Sequence, residues 1–304
     1  MPSSSEKSLI PRIAVSVAAA ALAIGAARFL SHGTLSPSNA GTLEVCPGPL
    51  MVATRVHNQQ STADAQVDLG KVRGFIELAL SYADVVAIAV GDGLEESVGE
   101  LAREIEAKHG FEVGKVQVMH VHPWGNFAPA LNALVALASQ NECPLLLLQS
   151  LETEATAEAV ASLRSMLTAN DLVAGAALPG HEFRPGQHTL TGVTTPWNTL
   201  SLWSVPKLAK VGFLTVAEGL VKGVAPGIEE VSCISLLQLI CRGNTMGAKL
   251  VKLNGLHWDA AFQDEGRRAW HANKMSSKVA RAEAQMAALG IQPGKVLHID
   301  STDR

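Results

Sequence analysis

Residues 84–93 read DVVAIAVGDG, and this stretch decides the fold class. An aliphatic run from Val85 to Val90 without polar alternation is a strand buried on both faces, and Gly91-Asp92-Gly93 stops it in a turn. Outward from it the same grammar repeats. LMVATRV (50–56) predicts a strand ending at His57-Asn58, VQVMHV (116–121) a third, PLLLL (144–148) a fourth and 172–178 a fifth. Between them, apolar residues at helical spacing predict helices over 67–82, 94–109, 128–139 and 153–168. The helix over 94–109 has acids in its first turn and Lys108-His109 in its last, matching the helix dipole. Alternating strands and helices of this kind predict an α/β fold: a mostly parallel sheet with helices on both faces. Ligands of such sheets bind at the carboxyl ends of the strands, which singles out the loops 57–66, 91–95, 122–128 and 149–154. Past Pro179 the regularity fails. Residues 181–203 are rich in Gly, Pro, Thr and Trp, followed by an apolar helix over 228–241, a short strand over 249–253 and a long helix over 265–289. The expected division is a regular α/β half over 49–180 and a less regular half over 181–304 that carries the C-terminal helix.

Composition narrows the function. The 304 residues are 47% hydrophobic and 17% charged, which excludes a disordered chain, and a net charge of −4 argues against nucleic acid as a partner. The basic residues after Lys249, Lys278 and Arg281 among them, are interleaved with acids and predict a solvated helix face. Cys46, Cys143, Cys233 and Cys241 contain no CxxC pair, so a thiolate zinc site is not expected and free thiols are.

Ile13–Ala27 is an apolar run flanked by Arg12 and Arg28 and followed by a Ser/Gly/Pro/Asn-rich linker over 32–48. Three readings of residues 1–31 stand open: a signal-anchor with a lumenal domain in the endoplasmic reticulum or Golgi, a cleaved signal or organelle presequence, and a buried core helix. The first makes the membrane a partner through residues 10–30.

The turn Gly91-Asp92-Gly93 invites a dinucleotide reading, but Glu95-Glu96 stand where a pyrophosphate would meet the helix start. Asp92 is either an acceptor for a base or ribose, or a turn-former. The loop TGVTTPWNTLSLW (191–203) combines an indole, an amide and hydroxyls, groups that suit a sugar platform at Trp197 and Asn198 or a packed core. His120 and His122 alternate at a strand end and so share a face; neither has a third metal ligand nearby in sequence. GxSxG and P-loop motifs do not occur.

Four stretches in order resemble the family-two glycosyltransferases. These are LMVATRVHN (50–58), VVAIAVGDG (85–93), NFAPALNALVALA (126–138) and GIEEVSCISLL (227–237). The resemblance implies a GT-A-like, Rossmann-like nucleotide-diphospho-sugar transferase that moves a sugar to an acceptor hydroxyl. It implies nucleotide contacts at Asn58, Asp92, Asn126 and Asn132, and a catalytic base at Glu230 with Glu229 beside it. It also implies a divalent cation, Mn or Mg, for which Glu152 and His257 are the candidate ligands. The chain departs from the family at the fourth strand, where Ser150-Leu151-Glu152 replaces Asp-x-Asp. That departure keeps open a non-catalytic relative that binds a nucleotide-sugar or glycan, and a different α/β nucleotide-dependent enzyme. The transferase reading requires Asp92, Glu152 and Glu230 to converge on one crevice.

Overall fold

A computed structural model of the chain describes residues 45–58, 67–241, 243–258 and 275–301. The expected anchor (1–31) and most of the linker (32–48) lie outside the described residues. Among the described residues, no helix is long and apolar enough to cross a membrane.

The fold is mixed α/β around one nine-stranded sheet. Its strands are β1 (Leu50–Val56), β2 (Val85–Val90), β3 (Val116–His120), β4 (Leu145–Gln149), β6 (Asp171–Ala176), β7 (Gly186–Thr189), β8 (Leu200–Ser204), β9 (Gly247–Lys252) and β11 (Lys295–Asp300). They lie in the order β3-β2-β1-β4-β8-β6-β9-β11-β7. Five of the eight pairings are parallel; β8 runs antiparallel between β4 and β6, and β7 antiparallel on β11. The sheet passes through the boundary expected at residue 180, because β8 inserts between β4 and β6. A separate ribbon pairs β5 (Thr153–Ala155) with β10 (Leu256–Trp258).

The helices are α1 (Leu69–Ala79), α2 (Glu95–His109), α3 (Ala128–Gln140), α4 (Ala157–Met166), α5 (Val205–Leu208), α6 (Glu229–Ile240) and α7 (Lys278–Leu289), with a 3-10 turn at Thr215–Glu218. Strand side chains alternate between faces, so each aliphatic run feeds two cores. Leu50, Val52, Val86, Ile88, Leu145 and Leu147 pack with α1, α2 and α4 on one face. Met51, Ala53, Ala87, Ala89, Leu146 and Leu148 pack with α3, α6 and α7 on the other. Helices therefore cover both faces, and the small residues of β2 on the second face let α3 approach closely.

Three expectations from the sequence change here. The helix predicted over 153–168 begins later: Thr153–Ala155 pairs with β10, and Thr156 Oγ1 caps α4 by accepting from the Ala159 N–H at 3.2 Å. Four strands are not expected from the sequence: β7 at the sheet edge and β10 in the small ribbon are short and largely exposed, whereas β8 (LSLWS) and β11 (KVLHID) alternate polar with apolar residues and lack a continuous aliphatic run. The solvated positions expected for Lys278 and Arg281 are also corrected. Lys278 and Arg281 are 6% and 9% exposed, because α7 packs against α6 and the 3-10 turn and draws both stems inward. All four cysteines are free, and burial raises the Cys46, Cys143 and Cys233 thiols.

Candidate functional site

The parallel strands β2, β1 and β4 end at one edge of the sheet. Antiparallel β8 begins there, tied by the Ser150 N–H donating to Thr199 O at 2.9 Å. Asp92, Asn58, Glu152 and Asn198 therefore follow one another along that edge. Neighbouring strands lie about 4.8 Å apart, which puts the ends of β2 and β8 roughly 14 Å from each other.

At the β2 end, Asp92 is exposed and faces two imidazoles. Its Oδ1 lies 2.8 Å from His120 Nε2 and 3.2 Å from His122 Nδ1. The hydrogen bond with His120, then that with His122, holds the Asp92 carboxyl below the usual range. Asp92, Gly93, Glu95, Glu96, Arg103 and His120 line an open cavity of about 560 Å³. Beside it, His57 stacks on Trp124 with ring centroids 5.0 Å apart. Gly91 permits this approach: a Cβ there would stand 3.1 Å from His57 Cβ and 3.5 Å from the Trp124 ring. Asn58 is exposed at the end of the described β1 segment.

Asn126 and Asn132 have internal partners. The α3 N-terminus is filled by a carboxylate of the chain itself: Glu218 accepts from the backbone N–H of Asn126 (2.7 Å), Phe127 (2.7 Å) and Ala128 (2.5 Å). Asn126 Nδ2 donates to Glu218 O. Asn132 exchanges two hydrogen bonds with the Phe213 backbone, 2.9 Å to the carbonyl and 2.7 Å from the N–H. Glu218 was not singled out by sequence, since its partner lies some ninety residues away, whereas His57 and Trp124 fall in the loops 57–66 and 122–128 that the strand ends marked.

The second acidic group opens α6. Glu229 and Glu230 are 4% and 5% exposed, and Asn198 joins them. The Asn198 N–H donates to Glu230 Oε1 at 2.6 Å, and its Nδ2 donates to Glu229 Oε1 at 3.2 Å. Its Oδ1 accepts from Ser201 Oγ and Trp203 Nε1, both at 3.1 Å, so Asn198 serves internal contacts throughout. Burial, then the neighbouring Glu229, pushes the Glu230 carboxyl up to about 8, with the Asn198 N–H and Lys278 pulling the other way. A carboxyl with a proton affinity in that range is suited to general acid–base chemistry.

Trp197 is 3% exposed, and both indole faces are taken. His181 stacks at 3.5 Å between centroids, Lys278 Nζ lies 2.8 Å from the ring centre, and Nε1 donates to Gly192 O at 2.9 Å. Burial drives His181 down to about 3.

Glu152 is half-buried before β5, and the β5–β10 register puts His257 opposite Glu154. Ser150, in the place of the family's first aspartate, bonds Thr153 through its hydroxyl at 3.0 Å. Among the described residues, no group of three or more His, Cys, Asp or Glu side chains is arranged to hold a metal ion. The donors present do not fit a hard divalent cation, which needs six or more oxygen ligands or water in their place.

Asp92, Glu152 and Glu230 thus lie along one edge of the sheet and do not converge on one crevice as expected: neither Glu152 nor Glu230 lines the space beside Asp92, so a donor that served all three would have to span the edge.

No protein-family model matches the sequence. No curated protein matches it either. Among solved structures, the fold is similar to GalNAc-T7 in complex with UDP, GalNAc and Mn2+, at 8% identity over 62% of this chain and 40% of that one, with a TM-score of 0.42. It is similar to 4-diphosphocytidyl-2C-methyl-D-erythritol synthase at 11% identity over 76% of this chain and 100% of that one, TM-score 0.39. It is also similar to the inositol-1-phosphate CTP transferase from T. maritima, at 13% identity over 53% and 72% respectively, TM-score 0.33. This chain spans about two-fifths of the GalNAc-T7 chain. Likenesses this shallow carry no argument about activity.

Proposed function

We propose that this chain is a glycosyltransferase: it binds a nucleoside-diphosphate sugar along the carboxyl edge of its sheet and passes the sugar to an acceptor hydroxyl. The supporting observation is the Glu229–Glu230 pair, buried at the start of α6 and tied by Asn198 to the edge where β4 ends. In this reading Asp92 and Asn58 receive the nucleoside, beside the partly exposed His57–Trp124 stack. The diphosphate runs past the ends of β1 and β4, and Glu230 takes the acceptor proton as the hydroxyl oxygen attacks the anomeric carbon. The bond from that carbon to the diphosphate oxygen breaks, and the nucleoside diphosphate leaves with the electron pair. No step runs through a metal. Attachment to a membrane through residues 10–30, with the domain in the lumen of the endoplasmic reticulum or Golgi, belongs to the same proposal. Carbonate extraction of the full chain tests it.

The activity test is turnover of a panel of nucleotide-sugars by the wild type and by Glu230→Gln. Loss of a general base predicts a fall of about 10²–10⁴-fold in kcat with folding retained. Turnover that survives the substitution refutes Glu230 as the base. A second reading, binding without turnover, is favoured by the internal use of Asn198 and of both Trp197 faces, and by the separation of Glu230 from the Asp92 cavity. Nucleoside diphosphates that stabilise the protein while no donor turns over would select it.

A further inference from the structure

The acid pair rests on a turn that its own helix does not stabilise. Gly227 has φ +99° and Ile228 φ +63°, and the α6 N-terminus has no side-chain cap. A β-branched residue in the left-handed region persists only where its surroundings over-determine it. Those surroundings come from α7. Arg281 Nη1 donates to Pro226 O at 2.9 Å, and Gln285 Nε2 donates to Gly227 O at 2.5 Å. From the 3-10 turn, Ala217 O accepts the Gly227 N–H at 2.9 Å. The φ of +99° favours glycine at 227, and the Arg281 guanidinium lies so close that a Cβ there would stand 2.6 Å from Nη1. One helical turn before Arg281, Lys278 lies over Trp197, the neighbour of Asn198.

We propose that α7 is a charge clamp on Glu229 and Glu230, with Arg281 as the positioning residue. It holds the Pro226–Ile228 turn that aims the pair at Asn198, and it stations a guanidinium beside Gly227, two residues before Glu229. The inference deepens the transferase reading, since it concerns the base which that reading uses. Among the described residues, the groups facing the pair are Asn198 from the loop before β8, Cys233 from α6 itself, and Lys278 and Arg281 from α7. Glu218 lies in the 3-10 turn beneath Gly227, with its carboxylate committed to the α3 N-terminus. The two cations of α7 are thus the positive charges that oppose the two acids. Burial lowers the proton affinity of the Arg281 guanidinium, and Glu229 and then Glu230 offset part of that fall.

The test follows the glutamate side-chain carboxyl resonances by carbon NMR from pH 5 to 10 in wild type, Arg281→Gln and Arg281→Lys. In Arg281→Gln, which keeps a donor but not the charge, the Glu230 proton affinity should rise at least about tenfold. In Arg281→Lys it should return to within about threefold of wild type. Arg73→Gln, at an exposed ion pair with Glu104, should leave the titration in place. A folded Arg281→Gln protein with an unmoved titration overturns the proposal, as does an Arg281→Lys protein that behaves like Arg281→Gln. If Arg281→Gln does not fold, Lys278→Met carries the test, and no upward movement there overturns it. The titration requires no turnover, so absence of sugar transfer sinks the transferase reading and leaves the clamp to stand or fall by itself.

Discussion

Replacing Glu218 by alanine should destabilise the protein heavily, and the size follows from what its carboxylate holds. Three backbone donors at the α3 N-terminus end on it, at 2.7, 2.7 and 2.5 Å. Ala128 is buried, so its N–H would be left without water, at about 1–3 kcal/mol. Asn126 is exposed and Phe127 partly so; their amides can be rehydrated, at roughly 0.5–1 kcal/mol each. Losing a negative charge at a helix N-terminus adds about 0.5–1 kcal/mol. The total for Glu218→Ala is about 2.5–6 kcal/mol, and Glu218→Gln, which keeps one acceptor oxygen, should lose only about 1–2 kcal/mol. For a domain of this size that corresponds to Tm falling by roughly 5–24 °C and 2–8 °C respectively. Thermal melts followed by circular dichroism, with amide exchange at residues 126–128, read both. A Tm within about 2 °C of wild type for Glu218→Ala, or unchanged protection of the three amides, refutes the cap.

Stability should peak on the acid side of neutrality. His181 has a folded pKa of about 3 against 6.5, so its stabilisation is present above 6.5 and is lost as pH falls towards 3, by roughly 5 kcal/mol in all. Glu230 has the opposite sign: with its pKa raised from 4.5 to about 8, its contribution is full below 4.5 and is lost as pH rises through 8. Urea midpoints across pH 4–9 should describe a dome, and a monotonic rise would contradict the Glu230 assignment. Trp197→Ala should cost about 3–5 kcal/mol by removing the surface between His181 and Lys278, measured by chemical denaturation; a cost under about 1 kcal/mol would mean the indole is not packed as described. Because Glu152 and His257 assemble no metal site among the described residues, nucleoside-diphosphate affinity by calorimetry should differ less than about threefold between manganese and EDTA. A tenfold manganese dependence abolished by Glu152→Gln would reverse that conclusion.

The sheet was legible in the sequence because its determinants are local. Aliphatic runs such as Val85–Val90 and Leu145–Leu148 specify strands buried on both sides wherever they sit, and Asp92 must follow a strand end once Gly91 stops the run. That Glu229 and Glu230 open a helix was equally readable, since the apolar residues behind them leave the acids at its start. What each polar group does there was decided by tertiary structure. Glu218 reaches α3 across the chain, Asn198 spends its hydrogen bonds on a helix some thirty residues on, and Trp197 is enclosed by His181 and by Lys278 from α7. Lys278 and Arg281 look solvated by composition because their charges are interleaved with acids; packing against α6 buries them. Period and composition report which face of an element is apolar, whereas the partner of a buried charge is fixed only when distant segments meet.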